Sequence, residues 1–133
     1  MVHYRTDLEG VTESHLHGFF EGWPESPDAA THLRILRAAT HVVIAWEGER
    51  VVGFVTAISD GVLCAYVPLL EVLADYRGRG IGSALIDRVR ESARGLYMVD
   101  AICDETVRPF YEAQGFMALR GMALRDRAGL RNL

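Results

Sequence analysis

The stretch from Leu69 to Leu85 constrains the fold of this chain more than any other, because it joins a strand to a helix through a glycine-rich loop. Its sequence is LLEVLADYRGRGIGSAL, with glycine at positions 78, 80 and 82. From Gly80 onward, apolar residues recur with the period of an amphipathic helix, at Ile81, Ala84, Leu85, Val89, Ala93 and Leu96. A further strand-like segment follows from Leu96 to Cys103. A strand, a crossover helix and a strand predict a parallel pair within an otherwise antiparallel sheet.

The remaining segments predict an α/β fold with a mixed sheet. The other predicted strands are His3 to Arg5, the hairpin pair His41 to Trp46 and Arg50 to Ile58, the long strand Val62 to Leu73, and one or two closing strands over Phe116 to Leu124. The other predicted helices are Thr12 to Phe20, Asp28 to Ala39 and Val107 to Gln114, the last capped by Gly115. Pro68 interrupts the long strand and implies a bulge, bend or edge there.

Length and hydropathy indicate one globular domain over residues 1–133, with a tail at 125–133 that we expect to fray. The longest apolar run, Val62 to Leu70, falls well short of the roughly 20 residues of a membrane helix. The first ten residues, MVHYRTDLEG, contain no apolar core of a signal peptide, so we expect a cytoplasmic protein. Cys64 and Cys103 form no CxxC pair and are expected to be buried, reduced thiols.

The charged residues exclude several classes of function. The net charge is −4, and no cluster of basic residues alternates with aromatic ones, which argues against a nucleic-acid groove. All 14 basic residues are arginine, so a P-loop lysine and a Schiff-base lysine are excluded. No His-x₃-His or cysteine cluster is present, and His15 and His17 lie on different sides of the predicted helix, so no metal site is expected.

The loop from Arg77 to Gly82 has the chemistry of an anion site. The start of a helix carries unpaired backbone N–H groups and a partial positive charge. The three glycines remove side chains that would hold a ligand away from these groups, and Arg77 and Arg79 supply charge suited to phosphate oxygens. The same glycines also suit a tight turn with no ligand. The spacing matches the dinucleotide-binding fingerprint poorly.

Arg77-x-x-Gly80-x-Gly82, preceded by LLEVL and followed by SALI, resembles the acetyl-CoA-binding motif of the GCN5-related N-acetyltransferase (GNAT) superfamily. About thirty residues later, RPFYEAQGF resembles the family's aromatic-Tyr-Glu-x-x-Gly-Phe helix end. The resemblance covers His41 to Leu124. It implies a single-domain α/β fold whose mixed, mostly antiparallel sheet has a splayed parallel strand pair at its centre and helices on both faces.

The resemblance also implies acetyl-CoA as a cosubstrate, without a metal. The residues expected to hold its pyrophosphate are Arg77, Gly78, Arg79, Gly80, Ile81 and Gly82. The backbone of Val72 and Leu73 is expected to bind the pantetheine arm along the free edge of the splayed strand. Asp104 stands where the family often has an asparagine that holds the CoA arm. An ionised aspartate accepts hydrogen bonds but donates none, which puts that contact in doubt.

Tyr111 occupies the position of the family's tyrosine that protonates the departing CoA thiolate. A phenol with a pKa of about 10 keeps its proton at pH 7 and can deliver it as a sulfur anion develops. Without the two motifs, a half-buried structural tyrosine would be the plainer interpretation of this residue.

The acceptor amine must lose a proton, since an alkyl amine is deprotonated only about once in 2,500 molecules at pH 7. Some family members place a Glu or His base where this chain has Pro68 and Tyr66, and neither is a good base. Glu71 is close in sequence, but strand alternation turns it to the face opposite Val72. We therefore favour proton loss to water, with Glu71 as the alternative base.

By resemblance, the acceptor binds over the loop between the first two helices. That loop carries Glu21, Trp23, Glu25 and Asp28, and its three carboxylates beside a tryptophan could attract and stack a cationic amine, although solvated loop charges are the plainer interpretation. Tyr66 is a second candidate for this pocket. The expected partner is a small-molecule or peptide amine rather than a nucleic acid or a membrane. A homodimer is also consistent with the family.

The function predicted from the sequence is transfer of an acetyl group from acetyl-CoA to a primary amine by direct attack in a ternary complex. Neither motif contains a cysteine that would suggest a covalent acyl-enzyme. One alternative is a non-catalytic acyl-CoA-binding sensor or regulatory domain of the same fold. Another is an unrelated nucleotide-binding module.

Overall fold

A computed structural model describes residues 1–133, and its five strands form one sheet in the order β1-β2-β3-β4-β5. The strands are β1 (Val2–Arg5), β2 (His41–Glu47), β3 (Arg50–Ser59), β4 (Cys64–Val72) and β5 (Met98–Ala101). The helices are α1 (Ala29–Ala38), α2 (Ile81–Ser92), α3 (Arg108–Ala113) and α4 (Ala128–Arg131). None of these helices combines the length and hydropathy of a membrane-crossing segment.

The sheet is antiparallel from β1 to β4 and parallel between β4 and β5, with α2 as the crossover. The parallel pairing ends at Val67 and Ala101, while β4 continues to Val72 paired with β3 alone. The two strands therefore part at Pro68, whose missing N–H removes a ladder hydrogen bond. The predicted fold class, a mixed and mostly antiparallel α/β sheet with a splayed parallel pair, is confirmed. The pair was expected at the centre of the sheet, but it lies at one end, because no strand follows β5.

Apolar clusters cover both faces of the sheet. On one face, α1 and the chain before it pack Leu33 and Leu36 against Ile44 and Phe54. On the other face, α2 packs Leu85, Ile86 and Val89 against β2, β3 and β4. Helices on both faces explain why β3 is an almost continuous apolar run and is buried from position 51 to 57.

The predicted helix over Thr12 to Phe20 is wrong. Only one turn of 3₁₀ helix forms there, at Glu13–His15. Gly18 has φ +87° and Phe20 has φ +62°, and neither angle is compatible with a right-handed helix. By contrast, α1 begins after Asp28, whose carboxylate accepts a hydrogen bond from Thr31 N–H at 2.8 Å, as the helix-start pattern predicts.

The predicted closing strands over Phe116 to Leu124 are also wrong. Gly115, with φ +92°, ends α3 as predicted, and Phe116 N–H donates to the Tyr111 carbonyl at 3.0 Å. The chain then runs without regular structure until α4. The apolar alternation that suggested a strand is present, but within one chain the segment finds no strand with which to pair.

Candidate active site

A cavity of about 340 Å³ lies where β4 and β5 diverge. Its walls include β4 from Val67 to Glu71 and the segment from Ile102 to Asp104 that follows β5. Trp23 and Tyr111 also line it. We call this divergence of β4 and β5 the split. It opens the edge of the sheet, so that groups from both strands line the same cavity.

A second hollow, of about 280 Å³, lies at the start of α2. Gly78 and Gly80 there have φ +77° and +81°, the left-handed region that suits glycine. No protein atom lies within 4 Å of the position that a Cβ would take at either residue. Gly82 serves a different purpose, because its Cβ would approach the Phe110 ring at 3.3 Å. The first two glycines therefore shape an open turn, and the third lets α2 pack against α3.

The backbone amides from Gly78 to Ser83 find no acceptor within the protein. The first bond of α2 runs from Ala84 N–H to the Gly80 carbonyl at 3.1 Å. The preceding amides therefore remain free at the positive end of a 12-residue helix. This arrangement can seat an anionic group, as the glycine pattern predicts.

The arginine side chains of this loop make other contacts than expected. Arg77 Nε donates to the Val72 carbonyl at 3.0 Å, and its Nη2 pairs with the Glu21 carboxylate at 2.8 Å. Arg79 donates to the Asp75 carbonyl at 3.0 Å and lies over the Tyr76 ring. Both guanidinium groups thus have partners within the protein, and the backbone amides remain free as donors in the hollow.

Of the two residues expected to bind the pantetheine arm, Leu73 has both of its backbone polar groups engaged within the protein. Leu73 N–H donates to the Val52 carbonyl at 2.9 Å, and its own carbonyl accepts from Tyr76 at 2.8 Å. In an antiparallel ladder, the backbone polar groups of neighbouring residues point to opposite sides of the strand. The N–H and C=O groups of Val72 and Leu70 therefore point to the open edge. The Val72 carbonyl already accepts from Arg77, which leaves its N–H as the candidate contact.

Tyr111 is buried on α3 and lines the larger cavity. The rings of Phe110 and Phe116 meet its ring edge-to-face, with centroids 5.1 Å and 5.2 Å away. Burial raises the pKa of Tyr111 to about 12, with smaller effects from Cys103 and Tyr66. The phenol is therefore protonated near neutral pH and held by its neighbours at the split.

The structure brings together some of the other predicted residues and separates others. Trp23 and Asp104 line the cavity with Tyr111. Glu21, Glu25 and Tyr66 are not part of its wall. The ion pair with Arg77 holds Glu21 beside the glycine loop, and Tyr66 pairs with Asp100 before the strands part.

Sequence reasoning missed several features of the cavity. Glu71 faces away from Val72 as expected, yet it lines the cavity, and its carboxylate accepts hydrogen bonds from Phe20 N–H and Glu21 N–H at 2.7 Å and 3.3 Å. Cys103, expected to be buried, is exposed, because β5 ends at Ala101. Arg125 reaches the cavity from the tail. Phe54 and Glu71 are paired across β3 and β4, so their side chains lie on the same face of the sheet.

The comparisons with known proteins agree with this geometry. The acetyltransferase (GNAT) family model matches residues 8–116, and the chain therefore belongs to this family. An aminoglycoside 2'-N-acetyltransferase of Mycolicibacterium fortuitum is 34% identical over 59 residues, which are 44% of this chain and 30% of that protein. The chloroplastic GCN5-related N-acetyltransferase 3 of Arabidopsis thaliana is 38% identical over 69 residues, which are 50% of this chain and 29% of that protein. The chain thus aligns with under a third of each of these curated relatives.

Solved structures match over nearly the whole chain. A Deinococcus radiodurans R1 protein assigned to the acetyltransferases is 47% identical, with a TM-score of 0.95 over 97% of this chain and 91% of that one. A GNAT family acetyltransferase from Streptococcus pneumoniae TIGR4 is 25% identical, with a TM-score of 0.75 over 96% of this chain and 99% of that one. The family resemblance predicted from the two motifs is confirmed.

Proposed function

We propose that residues 1–133 act as one acetyltransferase domain that moves an acetyl group from acetyl-CoA to a primary amine. The observation that carries the proposal is the row of free amides at 78–83, which lies on the same sheet edge as the split containing Tyr111. A pyrophosphate on those amides would allow the pantetheine arm to run along β4, past Val72 and Leu70, into the cavity.

The proposed reaction is a direct transfer within a ternary complex. The amine nitrogen attacks the thioester carbonyl carbon, the new C–N bond forms, and the C–S bond breaks. Tyr111 donates its proton to the departing thiolate as the C–S bond breaks; burial raises the pKa of this phenol to about 12, so it holds its proton at neutral pH until that charge develops beside it. The amine proton leaves to water, because the Glu71 carboxylate already accepts two backbone N–H groups.

The cavity chemistry favours a cationic acceptor. Glu71 and Asp104 place two carboxylates on its wall, and Trp23 offers an aromatic face to a cation. Arg125 adds a positive charge on one side and would orient an acceptor carrying several charges. The M. fortuitum relative acts on aminoglycosides by name, so polycationic amines are the first acceptors to test.

Two experiments test the proposal in sequence. Thermal unfolding with acetyl-CoA, ATP or NAD measures which ligand the amides at 78–83 accept, and we expect stabilisation by acetyl-CoA alone. Release of free CoA thiol is then followed with aminoglycosides, polyamines and peptides with free N-termini. Stabilisation without thiol release from any amine would favour the acyl-CoA sensor, and stabilisation by ATP or NAD would overturn the assignment.

A further inference from the structure

A side-chain hydroxyl lies beside the free amides in the hollow at the start of α2. Nine residues line this hollow, and none of them is acidic. The Arg77 guanidinium among them is already paired with Glu21. Ser83 also lines the hollow, and it is the third residue of α2, so its own backbone N–H is one of the free amides. Its side chain is therefore placed to bind the same anion as those amides.

The Ser83 hydroxyl has one hydrogen-bond partner within the protein, the side chain of Gln114 at the end of α3. Gln114 Nε2 donates to Ser83 Oγ at 2.7 Å, across 31 positions of the chain and in half-buried surroundings. An amide nitrogen only donates, so Ser83 Oγ is the acceptor in this bond and keeps its own proton. That proton is left for an acceptor outside the protein.

The bond to Gln114 also replaces a local alternative. A serine hydroxyl in a helix often donates to the backbone carbonyl three or four residues earlier. For Ser83 these are the carbonyls of Gly80 and Arg79. In the position that Gln114 gives it, Ser83 Oγ bonds to neither of them. The hydroxyl proton is thus not consumed by the helix that carries it.

The backbone of Gln114 is itself held from two sides. Its N–H donates to the carbonyls of Phe110 and Tyr111 at 3.2 Å and 3.0 Å. Its carbonyl accepts a hydrogen bond from Arg90 Nη1, on α2, at 2.8 Å. Because both backbone groups are engaged, the amide side chain extends toward Ser83 from a fixed point on α3.

We propose that Gln114 is a positioning residue for the acyl donor. It orients the Ser83 hydroxyl so that its proton points into the hollow and binds a pyrophosphate oxygen together with the amides at 78–83. This inference rests on the proposed use of acetyl-CoA. A hydrogen bond to a charged oxygen is stronger than one between neutral groups, so the orientation of one hydroxyl affects affinity measurably. Gln114 follows Tyr111 by three residues, so a single contact joins the pyrophosphate site to the helix of the proposed general acid.

The variants Ser83→Ala and Gln114→Met, alone and combined, test this role. Titration followed by NMR measures their affinity for acetyl-CoA and for acetyl-pantetheine, which lacks the pyrophosphate. We expect Ser83→Ala to lose about tenfold or more in affinity for acetyl-CoA. Gln114→Met keeps the side-chain length without the donor, and we expect a loss of about three- to tenfold. Affinity for acetyl-pantetheine should stay unchanged in both.

The double variant separates a positioning role from an independent one. If Gln114 acts through Ser83, the double variant should bind acetyl-CoA as Ser83→Ala does. Losses that add would show that the two residues act separately, and equal losses for both donors would show a general disturbance of α3. Either result would overturn the inference.

Ser92→Ala is the matched control, because Ser92 is an exposed serine at the other end of the same helix. It should bind both donors as the wild type does, and circular dichroism should be the same for all variants. A wild type that binds acetyl-CoA, with variants that bind it equally well, would overturn this inference alone. A wild type that does not bind acetyl-CoA would overturn the proposed function and the inference with it.

Discussion

The carboxylate of Glu71 on β4 accepts a hydrogen bond from the backbone N–H of Phe20 at 2.7 Å, across 51 positions of the chain. Phe20 holds a left-handed φ of +62°, a costly angle for a bulky residue, and it packs edge-to-face against Trp23. The neighbouring Glu21 pairs with Arg77 of the glycine loop. Two contacts therefore join the loop that carries Trp23 to β4 and to the proposed donor site.

The substitution Glu71→Gln tests this connection. Glutamine offers one acceptor oxygen, so its NH₂ group would face one of the two N–H groups that the carboxylate now binds. We expect a loss of about 1–2 kcal/mol in the free energy of unfolding and a change in tryptophan fluorescence. The KM for the acceptor amine should rise about tenfold.

Glu25→Gln is the matched control, because this carboxylate is exposed in the same loop and forms no ion pair. Urea unfolding and steady-state kinetics are the measurements. Equal effects of the two substitutions would show that Glu71 does not position the loop.

The substitution Tyr111→Phe tests the proposed general acid. We expect kcat to fall by about 10²- to 10⁴-fold, because the departing thiolate loses its proton donor. The ring and its contacts with Phe110 and Phe116 are kept, so acetyl-CoA binding should change little. Tyr97→Phe, at a tyrosine that is 86% exposed, should leave turnover unchanged. Release of CoA thiol measures kcat, and calorimetric titration measures the affinity for acetyl-CoA. Full activity in Tyr111→Phe would show that Tyr111 is not the general acid.

The substitution Gly80→Ala tests the anion loop. A Cβ at φ +81° is strained, so the free energy of unfolding should fall by about 1 kcal/mol. We expect a larger loss in acetyl-CoA affinity, about tenfold or more, because the N-cap backbone of α2 must shift. Gly61→Ala provides the control, since Gly61 has φ +75° and equally open surroundings away from the site. Gly61→Ala should lose stability but keep its affinity for acetyl-CoA. Equal losses of affinity in the two variants would contradict the proposed role of the Gly80 loop in binding acetyl-CoA.

The buried side chain of His32 makes the free energy of unfolding depend on pH. It lies buried among the rings of Phe19, Phe20 and Phe54, and neither ring nitrogen has a hydrogen-bond partner. Burial lowers the pKa of His32 from 6.5 to about 4. Between these values the unfolded chain binds the proton more readily than the folded one. The free energy of unfolding is therefore at its full value above pH 6.5. It decreases by about 3 kcal/mol as the pH falls toward 4.

Urea unfolding at intervals between pH 7 and pH 4 measures this loss. In His32→Phe a phenylalanine ring takes the place of the imidazole in the aromatic contacts, and the titrating group is absent. The free energy of unfolding should therefore change less with pH over this range. A variant curve with the same slope as the wild type would assign the acid sensitivity to other groups.

Several parts of the fold were predictable because their causes are local. The helix period after Gly80, the N-cap at Asp28 and the glycine that ends α3 each depend on a few adjacent residues. The helix predicted over Thr12 to Phe20 was wrong, because Gly18 and Phe20 take left-handed backbone angles. The Phe20 N–H bonds instead to the carboxylate of Glu71, 51 positions away, a contact that local sequence does not reveal.

The sequence by itself determined the strand, glycine loop and helix that present free amides, and it placed Tyr111 at a helix end, since backbone angles and helix termini follow from neighbouring residues. Only the tertiary structure decided which side chains meet at the split between β4 and β5. It turned Arg77 toward Glu21 and Glu71 toward Phe20, and it left the segment after Phe116 without a strand to pair with. Such contacts depend on groups far apart in the chain, whose competition for partners is settled only when the sheet and its helices pack together.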